Sequence, residues 1–301
     1  MTAAWPNLYI LGAPKCGTSR LYSVLADHPD IFMAAIKEPN YFASDIPRSQ
    51  HISDKKTYLK LFENDDKKVK AEASTIYFYS KDAVKNIKKV NPDAKFVIIL
   101  RNPIDMAFSL FHQQRFSLHE PLESFEDAWK ESRSRWDTGQ AQKLHYNPIA
   151  VCYAEAARLG HYVESNVQNC GLENLKIIFL DDLKDDFTKH YMELLSFIGV
   201  DYDGRDDFGT PERAKVRELS SIKKFLIQPP GIFRNIKQVV KKTFKIHHSP
   251  IGKALYSSTI KINEQKPQLD MRMRQLMLES LGEEISLLEK VTNRDLSKWR
   301  A

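Results

Sequence analysis

Short continuous apolar runs alternate with stretches of helical periodicity along residues 8–200. Leu8-Tyr9-Ile10-Leu11, Ile31-Phe32-Met33, Phe96-Val97-Ile98-Ile99-Leu100 and Leu175-Lys176-Ile177-Ile178-Phe179-Leu180 read as strands, and Lys70 to Phe78 as a strand leaving into a loop. Runs this apolar suit strands covered on both faces, as in a parallel sheet. Between them, Leu21, Val24 and Leu25 mark one face of a helix that stops near Asp27-His28-Pro29, because proline disfavours helix in the residue before it. Further helices are predicted over 55–62, over 80–90, from Pro103 through Ile104, Phe108 and Phe111, and from Tyr191 to Ile198. Strands interleaved with helices predict an α/β fold, a doubly wound parallel sheet flanked by helices, with ligands at the carboxyl ends of the strands.

Beyond this core the pattern changes. Residues 120–146 are polar and aromatic, with Trp129 and Trp136 seven positions apart on one helix face, read as packing residues before a sugar platform. From about residue 211 the chain turns basic and helical: Lys223, Lys224, Arg234, Lys237, Lys241, Lys242 and Lys245 interleave with Ile232, Phe233, Val239, Val240 and Phe244. A solvated helix face is the plain reading of 232–245, and an acidic glycan or peripheral membrane contact the alternative. Residues 268–290 form a long helix, with Leu276, Leu281, Ile285 and Leu288 as packing residues. One domain over 1–301 is expected, with the α/β core at about 8–200 and this helical C-terminal part from about 211.

Composition narrows the class. With 42% hydrophobic and 28% charged residues, the chain of 301 residues can bury a full core. A net charge of +6 suits a protein that handles polyanions, but only weakly. No stretch approaches the roughly 18 apolar residues of a membrane span, and the N-terminus has no signal-peptide pattern. Cys16, Cys152 and Cys170 leave one thiol unpaired in any disulfide scheme and lack metal-ligand spacing, so reduced thiols in a cytoplasm and no bound metal are expected. No nucleic-acid-binding signature is present.

The chemistry concentrates where the first strand ends. Gly12-Ala13-Pro14-Lys15-Cys16-Gly17-Thr18-Ser19 is a glycine-bounded loop entering a helix, so backbone N–H groups and two hydroxyls can converge on an anion at the positive helix end. Its glycine spacing matches a Walker loop, yet Thr18 stands where a nucleoside triphosphatase carries lysine, and the lysine has moved to position 15.

That displaced lysine makes Gly12 to Ser19 closely resemble the 5′-phosphosulfate loop of sulfotransferases that use 3′-phosphoadenosine 5′-phosphosulfate (PAPS). Phe96 to Asp105, followed by Ser109, resembles the same family's 3′-phosphate motif, and the likeness extends to Leu296-Ser297-Lys298-Trp299. The resemblance implies a bacterial-type enzyme near the carbohydrate and heparan branch. Lys15, Cys16, Gly17, Thr18 and Ser19 would bind the 5′ side of PAPS, Arg101 and Ser109 the 3′-phosphate, and Tyr162 of Gly160-His161-Tyr162 the adenosine side, with Tyr153 as a rival. Lys37-Glu38-Pro39-Asn40-Tyr41-Phe42 resembles the segment that carries the catalytic glutamate, so Glu38 is the expected base, Glu72 its alternate and Lys15 the second catalytic group. Ala73 stands where heparan-acting relatives often have lysine, and no histidine lies between Glu72 and Phe78.

Sulfuryl transfer needs in-line placement, stabilisation of charge on the leaving oxygen and a base for the attacking hydroxyl. The expected reaction moves the sulfuryl group to a hydroxyl or amine of a carbohydrate or glycolipid acceptor, without a metal, and releases 3′-phosphoadenosine 5′-phosphate (PAP). The alternatives are a P-loop kinase and a non-catalytic protein that binds anionic glycans.

Overall fold

The computed structural model describes residues 5–46, 52–63, 66–145, 147–209, 215–217, 260–262 and 268–300. Five parallel strands form the central sheet: β1 (Leu8–Gly12), β2 (Ile31–Met33), β3 (Val69–Ala73), β4 (Lys95–Leu100) and β5 (Leu175–Phe179), in the order β2-β3-β1-β4-β5. β1 lies in the middle and is buried throughout, as its unbroken apolar run requires. From β1 the chain crosses to β2 at one edge, returns to β3 beside β1, and then passes over to β4 and β5 on the other side. The doubly wound sheet is therefore present, and its switch in winding direction falls at the carboxyl end of β1, where ligands of such sheets bind.

Helices cover both faces. α1 (Thr18–Ala26), α2 (Lys55–Lys60), α3 (Ala83–Val90), α4 (Pro103–Phe116), α5 (Phe125–Asp137), α6 (Ala141–Leu144), α7 (Tyr153–Ala156), α8 (Leu159–Cys170), α9 (Leu180–Asp185) and α10 (Phe187–Ile198) follow in order. A second, antiparallel pair, β6 (Lys215–Arg217) with β7 (Ile260–Ile262), precedes the 22-residue α11 (Met271–Thr292). Local chemistry sets several helix starts. Asn102 accepts from the Ile104 N–H at 3.0 Å ahead of Pro103, and Asp270 accepts from the Arg272 and Met273 N–H groups.

Two expectations shift, those for Leu276 and Trp136. In α11 Leu281, Ile285 and Leu288 are buried, but Leu276 is 41% exposed and Met273 and Met277 take the inward positions. Position 277 continues the four-residue row 273, 277, 281, 285, and position 276 sits one residue, or about 100°, off it. Gly160-His161-Tyr162 lies in the first turn of α8. A Cβ at Gly160 would lie 2.3 Å from the Glu284 carbonyl oxygen, so this glycine is what lets α8 and α11 touch. Trp129 packs partly against the core while Trp136 remains 43% exposed on α5. The basic stretch 232–245, with Lys223 and Lys224 before it, lies outside the described residues.

Beneath α5 a charged cluster is sealed from solvent. Arg135 forks onto Glu120 at 2.5 and 3.0 Å, and the Tyr153 hydroxyl donates to the same carboxylate at 2.8 Å. All three side chains are almost fully buried.

Candidate functional site

The loop after β1 is shaped by steric demands at both ends. Gly12 has φ +152°, and a Cβ there would meet the Phe78 Cβ at 2.7 Å, so the loop can leave β1 this close to Phe78 only with glycine. Gly17, at φ +99°, caps α1, and Lys15 between them also adopts a left-handed backbone at φ +62°. The Ala13 N–H donates to the Ile99 carbonyl at 2.9 Å, which seats the loop against the end of β4. Thr18 is buried, Ser19 is exposed and Lys15 is half-buried at the mouth. Cys16 is an inner wall. Burial pushes its thiol up to about 12 against the opposing pull of Arg101, so it is inert at neutral pH.

Arg101 follows directly on β4 and meets the loop from the neighbouring strand end. Its guanidinium lies 3.8 Å from Asp105, while its buried Nε has no hydrogen-bond partner among the described residues. A buried, unpaired guanidinium N–H is costly unless an acceptor arrives, so this arm fits an anionic ligand. Ser109 is half-buried two turns along α4. The chain's end braces the same junction: Asn102 donates to the Trp299 carbonyl at 3.0 Å, and the Trp299 indole donates to Asp181 at 3.1 Å. Arg274 of α11 pairs with Asp105 at 2.6 Å.

Across the loop, Lys37 and Glu38 arrive from the connection after β2. The Glu38 N–H donates to the Ala73 carbonyl at 2.9 Å, and its backbone turns with φ +61°. Its carboxylate accepts from the Thr75 N–H at 2.8 Å and the Thr75 hydroxyl at 3.0 Å. The Thr75 carbonyl is itself 3.3 Å from where a Gly12 Cβ would stand, so Glu38 sits beside the loop. Lys37 donates to the Ser19 hydroxyl at 2.6 Å. The structure thus brings a carboxylate, two lysines and the arginine arm around one mouth.

Glu72 does not reach this mouth. It is fully buried and accepts from the Tyr58, Ser74 and Tyr77 hydroxyls at 2.7, 2.9 and 3.0 Å. Burial raises its carboxyl to about 7, the three hydroxyls pull it down, and nearby Glu38 adds to the rise. Tyr162 is half-buried against Phe78 and Tyr79, with its hydroxyl on Glu155 at 2.7 Å, so it reaches the loop's flank through Phe78. Tyr153 is instead locked into the Glu120–Arg135 cluster. Among the described residues no group of three or more His, Cys, Asp or Glu side chains is placed to hold a metal, and no helix is long and apolar enough to cross a membrane.

Sequence reasoning missed two contributors. Thr75, which orients Glu38, is 37 positions away from it and carries no local signal. Lys37 was visible beside Glu38, but in an irregular segment neighbouring side chains follow no fixed period, so only the turn at Glu38 reveals that Lys37 faces Ser19.

Comparisons with known proteins bear on the family and the fold. Residues 6–225 match the sulfotransferase domain model. The chain is 24% identical over 204 residues to a bifunctional heparan sulfate N-deacetylase/N-sulfotransferase 1 of Caenorhabditis briggsae, covering 65% of this chain and 23% of that protein. It is 30% identical over 110 residues to the human heparan sulfate glucosamine 3-O-sulfotransferase 6, covering 36% of this chain and 30% of that one. The matched stretches thus span under a third of these relatives' length. A crystal structure of a sulfotransferase from Alicyclobacillus acidocaldarius shares the fold, with a TM-score of 0.73 at 23% identity over 99% of this chain and 100% of that one.

Proposed function

The chain belongs to the sulfotransferase domain family, and from that premise we propose that it moves a sulfuryl group from PAPS to a hydroxyl or amine of a carbohydrate acceptor. The observation that carries the donor assignment is the buried Nε of Arg101, without a hydrogen-bond partner among the described residues, beside the glycine-bounded loop. The Cys16 and Gly17 amides, with the Thr18 and Ser19 hydroxyls at the start of α1, grip the 5′-phosphate. Arg101 and Ser109 clamp the 3′-phosphate, the feature that separates PAPS from ATP, and Tyr162 borders the adenosine. Lys15 stabilises negative charge on the oxygen between phosphorus and sulfur as its bond to sulfur breaks. Glu38, held by Thr75, takes the proton of the acceptor as its oxygen or nitrogen bonds to sulfur, and PAP leaves. Lys37 offers a second cation to the transferring group through Ser19.

The carbohydrate assignment rests on the heparan sulfate enzymes among the relatives. The stretch 232–245 is the segment we assign to an acidic glycan or membrane-surface contact. Three buried free thiols support a reducing, cytoplasmic setting. We also assign the whole chain to one domain.

Calorimetric titration with PAP, ADP and ATP, repeated on Arg101→Ala, tests the donor site. The expected result is binding that requires the 3′-phosphate and weakens with Arg101→Ala. A preference for ATP, or indifference to Arg101, would overturn the reading in favour of a kinase or a glycan-binding protein.

A further inference from the structure

We infer that Glu72 is a positioning residue that holds the Glu38 segment in its working shape through two hydroxyl relays. The inference rests on the reading of Glu38 as the base. A hydroxyl has one proton to give. Ser74 gives its proton to Glu72 Oε2 at 2.9 Å, which leaves its oxygen lone pairs to accept the Asn40 N–H at 3.0 Å. Tyr77 gives its proton to Glu72 Oε1 at 3.0 Å and accepts the Phe42 N–H at 3.1 Å. The third donor, Tyr58 at 2.7 Å, stacks its ring on Tyr41 with centroids 4.4 Å apart and planes at 18°. One buried carboxylate therefore orients the groups that catch residues 40, 41 and 42, directly after Glu38 and Pro39.

The segment needs such anchoring. Glu38 and Asn40 both have left-handed backbones, at φ +61° and +57°, a conformation that asparagine tolerates but glutamate adopts rarely. Both residues donate their N–H groups to the Glu72 strand end, Glu38 to Ala73 and Asn40 to Ser74. Glu72 itself is sealed away and touches no ligand.

Ser74→Ala and Tyr77→Phe each cut one relay, and Glu72→Gln keeps one accepting oxygen and sets an NH2 donor against the other hydroxyl, so that at most one relay survives. The readouts are amide hydrogen exchange across residues 37–42, PAP affinity, and PAP release from PAPS with water and with desulfated heparan sulfate as acceptor probe. The three variants should exchange faster over 37–42 and keep wild-type PAP affinity. Their kcat should fall by about 10- to 100-fold, the scale of an ångström-sized misplacement, with KM for PAPS unchanged. Ser74→Thr should restore both exchange protection and kcat. Wild-type exchange and kcat in Ser74→Ala and Tyr77→Phe would overturn the inference, as would a kcat loss matched by an equal loss of PAP affinity. Glu38→Gln is run in parallel. If it keeps normal turnover, the base reading fails and the inference with it; if it abolishes turnover while the relay variants stay normal, the positioning role alone is refuted.

Discussion

Glu72→Gln should change how stability depends on pH, because the buried carboxyl binds its proton more tightly in the folded chain than in the unfolded one. The side chain is fully buried, and desolvation outweighs three donated hydroxyl bonds to leave its pKa near 7 in place of 4.5. Between those two values the folded state carries more of a proton than the unfolded state, so folding stability is present in full below the unfolded value and declines as pH rises through the folded one. At about 1.4 kcal/mol per unit, a rise of some 2.5 units amounts to about 3 kcal/mol. Glutamine does not ionise, so the variant lacks this slope, while any mismatch of its amide with Tyr58, Ser74 and Tyr77 adds a pH-independent offset. Urea unfolding of both proteins at pH 4.5, 6 and 8 isolates the effect, since every other titrating group cancels in the difference. The variant should gain about 3 kcal/mol relative to the wild type from the lowest to the highest pH. Parallel stability profiles would refute the reasoning and place the carboxylate in a far better solvated environment.

Two further outcomes follow from particular contacts. Glu120→Gln leaves the buried Arg135 guanidinium facing a neutral amide in place of its bidentate partner at 2.5 and 3.0 Å. It should cost about 3 to 5 kcal/mol in unfolding free energy, measured by urea denaturation at neutral pH, and a loss under 1 kcal/mol would refute the account. Lys37→Met removes the cation from Ser19, and should lower kcat for sulfuryl transfer by about 100-fold with little change in KM for PAPS. Normal turnover in that variant would exclude Lys37 from the reaction.

The proposed donor residues follow from local patterns. Gly12 and Gly17 bracket a strand-to-helix turn whose residues are consecutive, and Arg101 and Ser109 lie directly after β4 and two turns into the helix that follows it. The helical spacing of Leu21, Val24 and Leu25 likewise predicted a face that is buried in α1. Leu276 failed because a periodic pattern leaves the exact phase of a long helix open by one residue, and packing against the core chose Met273 and Met277 instead. Tyr162 stood first by resemblance with Tyr153 as its rival, and their separate surroundings follow from which buried polar groups each met: Glu120 and Arg135 for Tyr153, Glu155 and the Phe78 face for Tyr162.

Local pattern alone sets the alternating α/β order, the glycine-bounded loop with its lysine at position 15, and the proposal that Arg101 and Ser109 act together. These depend on residues within a turn or two of each other, where backbone geometry leaves few choices. Which of the two carboxylates is enclosed follows from the packing of the whole sheet. Glu38 and Glu72 are 34 positions apart, and the fold buries the second while the first lies on Thr75 beside the loop. β3 packs beside β1 with Tyr9 opposite Glu72, which puts Glu72 in the sealed interior. The left-handed turn at Glu38 carries the other carboxylate to Thr75 at the edge of the loop. Burial is a property of the whole packed sheet, and no local pattern encodes it.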